Sequence, residues 1–216
     1  MTEPVPAPPP KRPLVVPAAL GGLIVGAALV GIPWLLFGTS GGAANSSPLT
    51  VPDTLGGLER SQVAVGKVTD NTGVAKSEAD RDDKDNRENA ARVSAAYGGA
   101  AAVVQTYHDD RLERGYQLTA VRANTPGLIA PYEDTELLGL AEPSQEVKEF
   151  GAVQCLVHHL ATAAGETPSA DKTTVSSCQR SASGLTVQLK VINQTEDNRD
   201  PAKLATTVDE AWAALS

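Results

Sequence analysis

Apolar residues run from Leu14 to Phe37, 24 residues without a charge. As a helix this run is about 36 Å long, enough to cross a hydrocarbon core of about 30 Å with some tilt. Pro17 falls in the first turn, where its missing N–H costs little. Trp34 and Phe37 fall at interface depth near the far end. Lys11 and Arg12 precede the run, and no Lys or Arg follows it before Arg60. The positive-inside rule therefore predicts a transmembrane helix over 14–37, with the N-terminus cytoplasmic and the rest extracytoplasmic. A cleaved signal peptide, cut near Gly42, Ala43 and Ala44, is the alternative. The run is longer than the roughly 7–15 residues of a signal-peptide core, which favours an uncleaved anchor.

Beyond the anchor the pattern changes. Residues 1–12 are Pro-rich and read as a disordered cytoplasmic tail, while 39–52 are Gly, Ser, Ala, Asn and Pro and read as a flexible tether. The domain proper is placed at 53–216. Its opening Leu55, Gly56, Gly57 and Leu58 read as a short strand or turn. Residues 67–88 are strongly polar and read as a solvated loop that becomes helical near Asn89, runs to Tyr97 and stops at Gly98 and Gly99. Stretches 101–108 and 116–122, rich in Val, Thr and Tyr, read as a hairpin. A turn at Asn124 to Gly127, a helical turn within 134–140, a strand at 153–160 and a loop at 165–174 follow. Leu185, Val187, Leu189 and Val191 alternate with Thr186, Gln188 and Lys190, the period of a strand with one buried face. Ser183 and Gly184 mark the tight turn before it. Asp200 as N-cap, Pro201 at the first helical position and the stripe Leu204, Val208, Ala211, Trp212, Leu215 define a final helix. The expected fold class is α+β: an N-terminal transmembrane helix, then a two-layer domain with a mainly antiparallel sheet packed by helices.

Composition narrows the function. The formal charge is −8 and the pI about 4.9, so attraction to nucleic acid or to an anionic membrane surface is disfavoured. Six aromatics beyond residue 40 are too few for a stacking platform. The only two cysteines, Cys155 and Cys178, fall in the part placed outside the membrane, an oxidising location. They are expected to pair, contributing about 3 kcal/mol through the unfolded state. No CxxC argues for redox chemistry.

Candidate chemistry is sparse. His108, His158 and His159 are the only imidazoles, and a metal-dependent or hydrolytic enzyme would have to be built on them. On a strand, His158 and His159 point to opposite faces. Gly38 to Gly42 matches GxSxG only formally, with no strand before it. The acidic run from Asp80 fails the calcium-loop pattern, with Lys84 at its fifth position and Asp85 at its sixth. Asp134, near Glu133 and Glu136, serves equally well as a helix cap. Ala18, Gly22 and Gly26 form a small-residue face through which two anchor helices could associate. No cofactor is implied.

Several motifs carry a resemblance: Pro52 to Leu58 after the anchor, Ala96-Tyr97-Gly98 at mid-domain, Gly151 before Cys155, Cys178 leading into the strand from Gly184 to Val191, and a final helix from Pro201 to Leu215. This layout resembles uncharacterised single-span, membrane-anchored extracytoplasmic proteins of actinobacteria. Gln179-Arg180 departs from it, since such proteins tend to carry an aromatic and an acid there. The resemblance implies an exported α+β domain with one disulfide and carries over no activity. The sequence thus predicts a membrane-anchored extracytoplasmic interaction or binding domain. Its partners are the bilayer, through the N-terminal helix, and an envelope protein, with no nucleic acid. A structural subunit of an envelope complex, dimeric through the anchor, is a further alternative.

Overall fold

The period-two run through Val187 and Leu189 forms the middle of an eight-stranded sheet, described by a computed structural model for residues 46–68, 72–193, 195 and 199–216. The expected span 14–37 and its face Ala18, Gly22 and Gly26 lie outside the described residues. Among the described residues no helix is long and apolar enough to cross a membrane.

In chain order the strands are β1 (Thr54–Leu55), β2 (Leu58–Arg60), β3 (Ala102–His108), β4 (Gly115–Val121), β5 (Gln145–Phe150), β6 (Val153–His159), β7 (Thr173–Ala182) and β8 (Leu185–Asn193). The helices are α1 (Ser61–Val68), α2 (Thr72–Ala96), α3 (Thr135–Leu138) and α4 (Pro201–Leu215). The sheet order is β1-β2-β3-β4-β8-β7-β6-β5, antiparallel at every pairing. The α+β class and antiparallel sheet are as expected. The β7–β8 turn has Ser183 at φ 49° and Gly184 at φ 77°, the left-handed pair that a two-residue hairpin turn needs.

One face of the sheet carries Leu118, Val187, Leu189, Val157, Val175, Cys155 and Cys178, all fully buried. Helix α4 covers it with Leu204, Val208, Ala211 and Leu215. Asp200 caps this helix by accepting the Ala202 N–H at 2.9 Å, as its sequence signature predicts. On the same side the Arg180 guanidinium lies 4.4 Å over the Trp212 ring and donates to Asp209 at 2.7 Å, fixing the helix rim. Cys155 and Cys178 are directly opposed on β6 and β7, joined as the expected disulfide with a Cα–Cα distance of 4.0 Å.

Three readings of the sequence are corrected. Of the polar stretch read as a loop over 67–88, residues 72–88 are helical: α2 is continuous from Thr72 to Ala96. Its interior lacks Pro, and after Gly73 it is rich in Ala, Lys, Glu and Arg, which favour helix without an apolar stripe. Lys76–Asp80 and Glu78–Arg81 pairs reinforce it, and only Asn86 is buried, accepting the Thr106 hydroxyl at 3.3 Å. Strand β5, with Glu146, Lys148 and Glu149 among its six residues, was not expected at all. Upstream, the described end of the tether is docked: Leu49 and Val51 pack against the core. Arg60 donates to the Val51 carbonyl at 2.7 Å, and the Tyr107 hydroxyl donates to that of Pro52 at 2.7 Å.

Candidate functional site

Alternation along β6 sends His159 to the α4 face and His158 to the other, because Val157 and Cys155 share the side of His159. His159 is buried, its side chain only 3% exposed. Its Nε2 lies 2.8 Å from Glu146 Oε1, and its Nδ1 lies 3.2 Å from the Thr173 hydroxyl and 3.4 Å from Glu142 Oε1. Lys148 Nζ reaches the same Glu146 oxygen at 2.8 Å. Burial pushes the Glu146 carboxyl up, but the hydrogen bonds from Lys148 and His159 outweigh it and hold the group below its usual 4.5. This cluster opens onto a cleft of about 690 Å³, also lined by Asp171, Arg199 and the start of α4 at Asp200 and Pro201.

Hydroxyl, imidazole and carboxylate stand here in the order of a proton relay. Glu142 Oε1, however, stands 3.4 Å from the same Nδ1 without hydrogen-bonding to it, and the imidazole is almost wholly enclosed. The arrangement ties β5, β6, β7 and the loop before β5 together. It is a clamp by geometry.

His108 lies in a different cleft, of about 720 Å³, beside Glu59, Lys67, Asp109, Asp110, Glu113 and Arg114. Its Nδ1 is 3.0 Å from the Arg114 carbonyl, and its ring lies so close over Gly115 that an added Cβ would sit 2.5 Å from the imidazole. Asp109 Oδ1 accepts the Glu113 and Arg114 N–H groups at 2.8 and 3.2 Å. Burial acts upward on its carboxyl, and these backbone bonds bring it below its usual value. Lys67 bridges Glu59 at 2.6 Å and Asp110 at 3.1 Å, which raises its ammonium above 10.5. The charges of this cleft are largely spent on one another.

The three imidazoles considered for an enzyme are thus not brought together. Among the described residues, no group of three or more His, Cys, Asp or Glu side chains is placed to hold a metal ion. Asp134 is the N-cap of α3, accepting the Leu137 N–H at 3.0 Å, and Glu133 accepts the Ser144 N–H. The partners of His159, namely Glu142, Glu146 and Thr173, were not found from the sequence. They lie on a strand that was not expected, on the loop before it, and on the first residue of another strand.

A second surface feature stands out. Ile129, Tyr132, Leu137, Leu138 and Leu160 are exposed by 80, 91, 82, 55 and 66%. The segments that carry Leu137, Leu138 and Leu160 are lashed together: His159 N–H to Ser144 O at 2.9 Å, Ala141 N–H to Thr162 O at 2.9 Å, and Ala164 N–H to Gly139 O at 2.8 Å. No family model, no curated protein and no solved structure matches this chain.

Proposed function

We propose that this chain is a membrane-anchored extracytoplasmic domain that binds a protein partner in the cell envelope and catalyses no reaction. The charge-free run 14–37, with basic residues only on its N-terminal side, supports the anchor and its orientation. The exposed Tyr132, Leu137, Leu138 and Leu160 carry the binding reading. Apolar side chains gathered on hydrogen-bonded segments favour an apolar protein surface over a charged ligand. The rigid disulfide-linked sheet behind them supplies a fixed platform, and the charge of −8 disfavours nucleic acid and anionic lipid.

The test uses the full chain in intact cells. A photo-crosslinking residue at Tyr132 or Leu137 is expected to give one reproducible adduct with an envelope protein. The same probe at the exposed Glu88 should give none, and Leu138→Asp should abolish the adduct. Externally added protease should digest the domain in cells whose outer layers have been removed. Protection of the domain there, or equal labelling from Glu88, overturns the reading.

A further inference from the structure

The two ends of the sheet are built differently. At one end β1 has two residues, and the turn after it is tied to α4 by Gly56 N–H donating to Glu210 at 3.2 Å. At the other end β5 has six residues, pairs only with β6, and no further strand covers its outer side among the described residues. Such an edge presents a row of backbone groups to any second strand.

Which groups face outward follows from the register. The Ser144 carbonyl accepts the His159 N–H at 2.9 Å, extending the β5–β6 ladder by one pair. Glu146, Lys148 and Phe150 therefore turn their N–H and C=O inward, and Gln145, Val147 and Glu149 turn theirs outward. The disulfide agrees. Cys155 lies 4.0 Å in Cα from Cys178, the close spacing of a pair that exchanges no backbone bonds, so its N–H and C=O face Lys148 on β5.

We propose that β5 is a self-association edge whose partner is β5 of a second copy of this chain, paired antiparallel about a two-fold axis at Val147. This register matches the backbone: Val147 faces Val147, and Gln145 faces Glu149 on both sides, so every outward N–H and C=O finds a partner. It also matches the charges. Glu146 of each copy lies opposite Lys148 of the other, twice, on the α4 side where the pleat brings such non-hydrogen-bonded pairs closest. A shift of one residue either way loses this. Centring on Lys148 opposes two ammonium groups, and centring on Glu146 opposes two carboxylates. The charges that repel an unrelated strand edge are thus complementary to their own copy. A two-fold contact of this kind closes on itself and makes a dimer with one continuous sheet of sixteen strands, twice the eight of one copy. The inference does not depend on the apolar surface or on the anchor.

The full chain in detergent, followed by sedimentation equilibrium, tests it. The wild type is expected to dimerise reversibly. Val147→Pro removes only an outward N–H, so the fold should keep its cooperative melt while dimerisation weakens by about tenfold or more. Lys148→Glu sets carboxylate against carboxylate and should weaken dimerisation about tenfold, and the double swap Glu146→Lys with Lys148→Glu should recover part of it. Gln145→Lys, opposite Glu149 of the second copy, should tighten it. A wild type that stays monomeric, or dimerisation unchanged by both Val147→Pro and Gln145→Lys, overturns the proposal. Dimerisation lost on Gly22→Ile with Gly26→Ile but kept in Val147→Pro also overturns it, by assigning association to the anchor.

Discussion

The two faces of the sheet are held by different forces. Under α4 the contact is apolar: Leu118, Val187, Leu189, Val157 and Val175 meet Leu204, Val208 and Ala211, all buried. On the opposite face, over β8, β7 and β6, residues 123–128 cross without regular structure, and side chains of the sheet hydrogen-bond to their backbone. Thr125 N–H donates to Ser181 Oγ at 2.9 Å and Thr186 Oγ1 at 3.1 Å. The Thr186 hydroxyl donates to the Ala123 carbonyl at 2.7 Å, and Gln179 to the Pro126 carbonyl at 2.8 Å. Gln154 Oε1 accepts the Leu128 N–H at 3.1 Å. Burial against α4 is non-directional and scales with area. Over β8, β7 and β6 the opposite face rests on directional bonds, each replacing what water would otherwise supply to a covered backbone.

The largest effects should come from the apolar face. Leu118 is fully buried, and Leu118→Ala is expected to cost about 2–5 kcal/mol, since the rigid surroundings leave a cavity. Its chain neighbour Thr119 points to the other face and is half-buried, so Thr119→Ala should cost less than about 1 kcal/mol. Denaturant unfolding of the full chain in detergent compares them, and equal losses would break the distinction between the faces. Replacing Cys155 and Cys178 together by Ala opens a link between residues 23 apart and should cost about 3 kcal/mol. Under reducing denaturation the wild type should lose most of this advantage. A difference that persists in reductant would assign the stabilisation to packing instead.

On the polar face a change of chemistry at constant shape should matter. Gln179→Leu nearly keeps the volume but leaves the Pro126 carbonyl without its donor, at a cost of about 1–3 kcal/mol. Amide exchange at Thr125 and Leu128, whose N–H groups bond to the sheet, should rise with it. Exchange rising equally over α4 would mean that the two faces open as one unit.

This contrast explains what could be read from the sequence. The α4 face announces itself twice, in the period-two run from Leu185 to Val191 and in the stripe from Leu204 to Leu215. Cap and turn chemistry at Asp200, Asp134 and Ser183-Gly184 was equally plain, because those signals are local. The polar face has no such pattern. Gln154, Gln179, Ser181 and Thr186 look like solvent-facing positions until the segment that uses them is in place. Strand β5 is hidden by its charges, and α2 by its lack of an apolar stripe. The opposed directions of His158 and His159 followed from alternation. The carboxylates around His159 did not, since they depend on a long-range pairing that no local spacing encodes.

The smallest effect sharpens the comparison at Glu146, where, as at the Arg180–Asp209 rim, the α4 side carries charged contacts. Glu146 is only partly covered, so its contribution is modest. Although burial alone would raise it, contacts with Lys148 and His159 hold its folded pKa below the usual 4.5. The folded state therefore binds this proton less readily than the unfolded chain. The stability it confers is complete above 4.5 and is lost as the pH falls through the lower folded value. Glu146→Gln has no proton to take up there. Between pH 5 and pH 3 the wild type should lose more stability than the variant, by an amount that shrinks with added salt. Parallel losses in the two proteins would show that the His159 clamp holds by packing, and charge on the α4 side would then act only at the Arg180–Asp209 rim.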